Sequence, residues 1–169
     1  MPSSASLPAV PGVGFAVESS DRGYLHDRTY AEDTLPGARV VAVEDLVGEP
    51  VLKLLVRHPT MGPDELLAAA REVAGGLAEL THSSSDGLLE VSAAGVTKAA
   101  TLATVAEQFG VQAADVLAFG DMPNDLAMLL WAGHGVAMGN AHPALLDAAD
   151  EVTASNADDG FAVVLERWF

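Results

Sequence analysis

The chain contains no cysteine, few aromatic residues and only eight basic side chains among its 169 residues. Without cysteine it has no disulfide framework and no thiolate metal site, which favours a cytoplasmic location. The 24 acidic residues give a formal net charge of -16. This charge argues against a nucleic-acid partner, because binding to a phosphate backbone needs a basic face. A small anionic substrate is compatible with the charge if a local cation or a metal ion assists.

Long apolar runs are also absent. No stretch reaches the ~18 consecutive apolar residues that a membrane span requires, so we expect no membrane partner. Half of the composition is hydrophobic, which is enough to bury a core. Residues 1–12 lack the basic and apolar segments of a secretory signal, and we expect them to be disordered or extended.

Residues 13–94 predict a small α+β domain. Apolar, β-branched runs indicate strands, and a helical apolar period follows them. The predicted strands lie in GFAVES, ARVVAVE, VLKLLVRH and THSSSDGLLEVSA, and the predicted helix covers GPDELLAAAREVAGGLAEL.

Residues 95–169 predict a different architecture, in which helices alternate strictly with short strands. The predicted helices lie in TKAATLATVAEQFG, PNDLAMLLWAG, HPALLDAAD and GFAVVLERWF, and the strands in DVLAFGD, HGVAMG and EVTA. This alternation is typical of an α/β fold with a parallel sheet. Ligands of such sheets bind at the carboxyl ends of the strands.

Polar residues follow one of these strands directly, in VLAFGDMPNDLAML (residues 116–129). Asp121 lies at the strand end, and Asn124 and Asp125 lie in the first turn of the next helix. Helix capping would explain one such acid. Two acids converging on one spot disfavour each other's ionisation unless a cation lies between them, and carboxylates are the ligands that Mg²⁺ prefers.

Lys98 supports this interpretation. Thr97 is a plausible N-cap, which places Lys98 in the first turn of its helix. A cation there opposes the helix dipole by about 0.3–1 kcal/mol. A solvated surface lysine would explain Lys98 taken alone, but an amine that faces an anion accounts for it together with the acids.

Four segments together carry a family resemblance: GVTKAATL, VLAFGDMPNDLAML, GVAMGNA and VTASNADDGFAVVLE. Their order and spacing resemble the haloacid dehalogenase (HAD) superfamily, specifically the Cof-type IIB phosphatases. The resemblance implies that residues 95–169 form the C-terminal part of a HAD-like Rossmannoid parallel sheet. Residues 13–94 would then be most of an α+β cap domain.

The same resemblance implies a Mg²⁺-dependent hydrolase that removes phosphate from small metabolites, such as sugar phosphates, through an aspartyl-phosphate. In this family Lys98 would steady the charge of the nucleophile and the phosphate. Asp121 and Asp125 would be associated with the metal. Asn124 and Asn140 would belong to the network around the substrate phosphate.

The family's D-x-D-G-T motif, which carries the nucleophile, does not occur in these residues. Asp45 ends the apolar run VVAVE and is the nearest substitute, but position 47 is Val and the surroundings resemble the cap. We therefore expect a family member without its first third, inactive on its own. The alternative is a catalytically empty fragment that acts as a binding or assembly module.

The missing part also affects assembly. In the family, the strand corresponding to residues 116–119 pairs with the nucleophile strand. Without that partner its edge would be unprotected, because VLAFG contains no proline, lysine or bulge signal. We therefore expect a homo-oligomer.

Overall fold

The computed structural model describes residues 10–30, 37–47, 50–74, 76–84 and 86–168. Most of the segment expected to be disordered, residues 1–9, lies outside the described residues. The chain divides into two compact units, Met1–Ala94 and Gly95–Phe169. No helix in the described ranges is long and apolar enough to cross a membrane.

The first unit is built on one sheet. Its strands are β1 (Gly14–Ser19), β2 (Gly23–His26), β3 (Arg39–Val40), β4 (Lys53–Arg57), β5 (Ala78–Thr81) and β6 (Leu88–Ala93). Its helices are α1 (Val43–Leu46) and α2 (Pro63–Ala74). The spatial order is β3-β2-β1-β4-β6-β5. The neighbouring strands are antiparallel except β2 and β3, which run parallel.

Both faces of this sheet carry apolar side chains, because successive residues of a strand point to opposite faces. Val17 of β1 packs with Leu46 of α1, whereas its neighbour Ala16 packs with Tyr30. Leu66 and Leu67 anchor α2 on the sheet, where they contact Val56 and Leu89.

A buried carboxylate fixes the turn that follows β2. One oxygen of Asp27 accepts the backbone N–H of Phe15 at 3.0 Å. The other accepts those of Thr29 and Tyr30 at 2.7 and 2.9 Å. These bonds satisfy the charge inside the fold and hold Tyr30 against the sheet.

Two expectations for this unit are wrong in detail. The helix predicted as far as Leu80 ends at Ala74, and the chain turns through Gly76, whose φ of +84° favours glycine. Residues 78–81 then form β5 beside β6. The run ARVVAVE contributes only the short β3, because the chain turns into α1 to bury Leu46.

The second unit has the predicted parallel sheet. Its strands are β7 (Leu117–Gly120), β8 (His134–Ala137) and β9 (Glu151–Val152). The helices are α3 (Lys98–Gln108), α4 (Leu126–Trp131), α5 (Pro143–Leu146) and α6 (Gly160–Trp168). The strands run parallel in the order β7-β8-β9. Within the described ranges β7 pairs only with β8, which makes it an edge strand.

Helices cover both faces of this sheet. Leu129 of α4 and Leu145 of α5 pack around Ala137 at the end of β8. Phe119 of β7 faces the other way and contacts Phe161 of α6, with ring centroids 4.5 Å apart. The sequence-based prediction of an α/β fold is therefore confirmed.

Candidate active site

The polar residues predicted as a site lie at the carboxyl end of β7. The strand ends at Gly120, Asp121 follows it, and a 3-10 turn (Pro123–Asp125) leads directly into α4. The proline occupies the first position of the turn, where its fixed φ and missing N–H are tolerated. The strand therefore delivers Asp121, Asn124 and Asp125 to one short loop.

Gly120 allows the 3-10 turn to pack directly on the strand. A Cβ at this position would lie 2.4 Å from Cβ of Asp125 and 2.7 Å from Cδ1 of Leu129. Neither contact is tolerable, so only glycine lets the Asp125 side chain fold back under the loop. In the sequence, the signal for this close packing is a glycine between an apolar strand and an acid.

Asp125 is the buried centre of the loop, with 5% of its surface exposed. Its Oδ2 accepts the backbone N–H groups of Asp121 and Met122, each at 3.2 Å. Its Oδ1 accepts a hydrogen bond from Nζ of Lys98. A carboxylate offers about four acceptor positions, so three of those of Asp125 are filled by the protein itself.

Lys98 reaches this loop from the start of α3. The hydroxyl of Thr97 accepts the N–H of Ala100 at 3.0 Å, which confirms Thr97 as the N-cap. The ammonium at a helix N-terminus is unfavourable, and the buried carboxylate of Asp125 offsets this cost. The side chain of Lys98 is 50% exposed. Since an ammonium has three donors, it retains donors for an anion.

Two oxygen-bearing side chains of the same loop are not engaged by the described part of the chain. No donor there contacts the partly buried carboxylate of Asp121. Oδ1 of Asn124 is buried and has no hydrogen-bond partner among the described residues. A buried polar oxygen without a partner is costly in a native fold. These hard oxygen atoms suit Mg²⁺, which binds one or two carboxylates together with substrate oxygens.

Asn140 lies in the loop after β8, and its side chain bonds to a neighbouring loop. Its Oδ1 accepts the backbone N–H of Asn156 at 2.9 Å, and the residue is exposed. Sequence reasoning did not foresee this bond, because its donor is a main-chain group. The phosphate-network role of Asn140 stays a prediction.

Asp45, the substitute nucleophile that we considered, lies in the short helix α1 of the first unit. It is exposed and does not end a strand of the parallel sheet. Nothing in its local structure resembles the strand end that carries Asp121.

The loop has the chemistry of a site for a cation and an anion. Lys98 and Asp125 neutralise each other, so the charge of Asp121 is available to a cation. The exposed part of Lys98 is available to an anion such as phosphate. The metal-associated roles of Asp121 and Asp125 remain predictions.

Comparisons with known proteins give consistent results. A family model described as haloacid dehalogenase-like hydrolase matches residues 13–165. The chain is 46% identical over 90 residues to 5-amino-6-(5-phospho-D-ribitylamino)uracil phosphatase YcsE of Bacillus subtilis. The match covers 53% of this chain and 36% of that protein. The chain thus spans about a third of the length of this curated relative.

Solved structures share the fold. A haloacid dehalogenase-like hydrolase from Bacteroides thetaiotaomicron superposes with a TM-score of 0.69 at 27% identity. The match covers 93% of this chain and 61% of that one. The HAD subclass IIB sugar phosphatase BT4131 gives a TM-score of 0.76 at 22% identity, with 93% and 61% covered. The second likeness shows the fold alone.

The bonds around Asp125 predict unequal effects of removing the two ends of its ion pair. Asp125→Ala leaves two backbone N–H groups without an acceptor and should lower the free energy of unfolding by about 2–4 kcal/mol. Lys98→Met should cost less, about 1–2 kcal/mol, because Oδ2 of Asp125 keeps both backbone donors and water can approach Oδ1 from the half-exposed side. Urea unfolding followed by tryptophan fluorescence measures both, since Trp131 and Trp168 lie in the second unit.

Asp115→Ala is the control for this comparison. Asp115 is an exposed acid of the same unit, and its replacement should change stability by no more than ~0.5 kcal/mol. Equal losses for Asp125→Ala and Lys98→Met would contradict the assignment of Asp125 as the centre of the loop.

Proposed function

Because the chain belongs to the haloacid dehalogenase-like hydrolase family, as its motifs predicted, we propose that it carries part of a Mg²⁺-dependent phosphatase site. The part consists of Lys98, Asp121, Asn124 and Asp125, and the substrates are small phosphorylated metabolites. The observation that carries the proposal is the pairing of Lys98 with buried Asp125 beside an Asp121 carboxylate that no described residue engages. The name of the relative YcsE, a phosphatase of a phosphorylated ribityl compound, supports this substrate class.

The residues at the loop fit Mg²⁺. Asp121 would hold the ion through its carboxylate, and the orphaned Oδ1 of Asn124 would serve the ion or its water shell. A bound Mg²⁺ supplies charge stabilisation to a phosphate group. Asp125 has little acceptor capacity left, so its association with the metal would run through Lys98 and the loop backbone.

Lys98 supplies the positive charge that attracts the substrate phosphate. Its ammonium is held at one oxygen of Asp125 and donates to an incoming phosphate from its exposed side. Since the protein carries a net charge of -16, a phosphate ester approaches against repulsion unless such a local cation is fixed in place. The buried carboxylate fixes it before substrate arrives, which lowers the reorganisation needed on binding.

Mg²⁺ titration tests the proposed site. We expect weak but measurable binding to the chain, because only part of the family's ligand set is present. Asp121→Asn should remove most of it, since the substitution removes a charged ligand. Isothermal titration calorimetry provides the measurement. Asp147→Asn, which removes the same charge from an exposed position of the same unit, is the matched control and should leave the heats unchanged. Equal heats for the wild type and Asp121→Asn would refute the assignment.

The chain alone should not turn over phosphate esters. Lys98 and Asp121 position charge, but covalent catalysis also needs a nucleophile, and the family's nucleophile motif is not among these 169 residues. We expect p-nitrophenyl phosphate to be hydrolysed no faster with the chain and Mg²⁺ than with Mg²⁺ alone. Mg²⁺-dependent hydrolysis that Lys98→Ala abolishes would contradict this expectation, and Asp45→Asn would then test the substitute nucleophile.

A second candidate function, a binding or assembly module without catalysis, is favoured by the edge strand. Among the described residues β7 pairs with β8 alone, so its other edge presents unpaired N–H and C=O groups. Apolar side chains are exposed elsewhere in the second unit, including Phe109 at 78%. Such an edge invites pairing with another chain.

We propose that this edge pairs with a second copy of the chain, giving a homo-oligomer. The net charge of -16 opposes association at low ionic strength, and added salt screens the repulsion. The oligomer should therefore be tighter at 0.5 M than at 0.05 M NaCl, which light scattering across a salt and concentration series measures. A monomer under all of these conditions would rule out the oligomer.

A further inference from the structure

The loop after β8 (residues 138–142) contacts two other loops. One is the loop after β7 that carries Asp121 (residues 121–125), and the other is the loop after β9 (residues 153–159). The backbone N–H groups of Met138 and His142 donate to the carbonyls of Gly120 and Asp121, at 3.0 and 2.8 Å. Between them, the N–H of Gly139 points the other way and donates to the carbonyl of Ala154 at 3.0 Å. The 138–142 loop therefore touches both neighbours through its main chain.

The contact with the loop after β9 is close. A Cβ on Gly139 would lie 2.8 Å from the carbonyl oxygen of Thr153 and 2.9 Å from the backbone N of Ser155. No side chain separates the two backbones at this point. A small displacement of the 153–159 loop is thus transmitted directly to the 138–142 loop.

The side chain of Asn140 adds a second connection on the same side. Its Oδ1 accepts the N–H of Asn156 at 2.9 Å. Asn156 is the first residue of a 3-10 turn, where the N–H has no partner within the turn. Asn140 therefore satisfies a donor that the turn itself leaves open.

The main chain of Asp121 is held by hydrogen bonds on both sides of the residue. Its N–H donates to Oδ2 of Asp125 at 3.2 Å, and its carbonyl accepts from His142 at 2.8 Å. With both peptide groups fixed, the direction of the Cα–Cβ bond of Asp121, and so the region that its carboxylate can reach, depends on where the 138–142 loop lies.

We propose that Asn140 is a positioning residue that orients the Asp121 carboxylate by clamping the 138–142 loop to the 153–159 loop. Asn140 acts through its side-chain oxygen on the N–H of Asn156. This role rests on the proposed function, because the proposed Mg²⁺ site supplies the cation that Asp121 binds.

Two substitutions break the same hydrogen bond from opposite ends. Asn140→Ala removes the acceptor, and Asn156→Pro removes the donor. Proline suits the first position of the turn, and Ser155 before it already has the extended backbone that a following proline requires (φ -67°, ψ 165°). Each variant should weaken Mg²⁺ binding roughly tenfold, as is usual when a group that orients a metal ligand is removed. The double variant should be no weaker than either single variant, because both remove one interaction.

Two controls separate this role from a general loss of stability. Asn156→Ala keeps the backbone N–H and should bind Mg²⁺ as the wild type does. Thr153→Val removes a different hydrogen bond of the same loop, from Oγ1 to the carbonyl of Gly160, and leaves the clamp intact. It should lower the urea midpoint without changing Mg²⁺ affinity.

Hydrogen exchange of the His142 amide, measured by NMR without metal, is the second readout. Asn140→Ala and Asn156→Pro should each accelerate it about tenfold, since both free the loop that holds it. If Asn140→Ala weakens Mg²⁺ binding and Asn156→Pro does not, Asn140 acts on the ligand directly and the proposal is overturned. Unchanged exchange in both variants also overturns it. If the wild type binds no Mg²⁺, the proposed function fails, and the exchange rates alone decide whether the clamp exists.

Discussion

The contact between Lys98 and the buried carboxylate of Asp125 organises the whole candidate site. A carboxylate removed from water is unfavourable unless donors surround it, and here one ammonium and two backbone N–H groups do so. The same three bonds join the start of α3 to the loop that follows β7, through Lys98 on one side and Asp121 and Met122 on the other. Without Asp125, nothing in this set of bonds would hold Lys98 near Asp121.

The arrangement also explains why two acids tolerate each other in a loop that one basic side chain, Lys98 of α3, reaches. The charge of Asp125 is balanced by Lys98 inside the fold, whereas the carboxylate of Asp121 has no donor among the described residues. One acid therefore shapes the site and the other is free to bind a cation. Asp125 does not cap α4 with its side chain; it accepts the backbone N–H of Met122, as the third residue of a capping box does, within the 3-10 turn.

Much of this could be predicted from the sequence, because the deciding signals are local. The strand and helix alternation after residue 95 follows from apolar periodicity, and Thr97, Lys98 and Asp121 are placed by the ends of those elements. The strand β5 could not be predicted, because its residues continue the alanine- and leucine-rich pattern of the preceding helix. Only pairing with β6 decides its conformation. The bond from Asn156 to Asn140 was equally inaccessible, because a main-chain donor leaves no mark in the sequence.

The remaining feature of the site is that its rigidity comes from the main chain. Gly120, Asp121 and Gly139 each use backbone groups to bond to a neighbouring loop, and a Cβ on Gly139 would collide with the loop to which it bonds. Side chains vary in rotamer, but a peptide group held on both sides has almost no freedom. When Asp121 binds a cation, the ordering cost is therefore confined to the torsions of its short side chain. The site can therefore be acidic, small and partly exposed and still hold the main chain of Asp121 in one place.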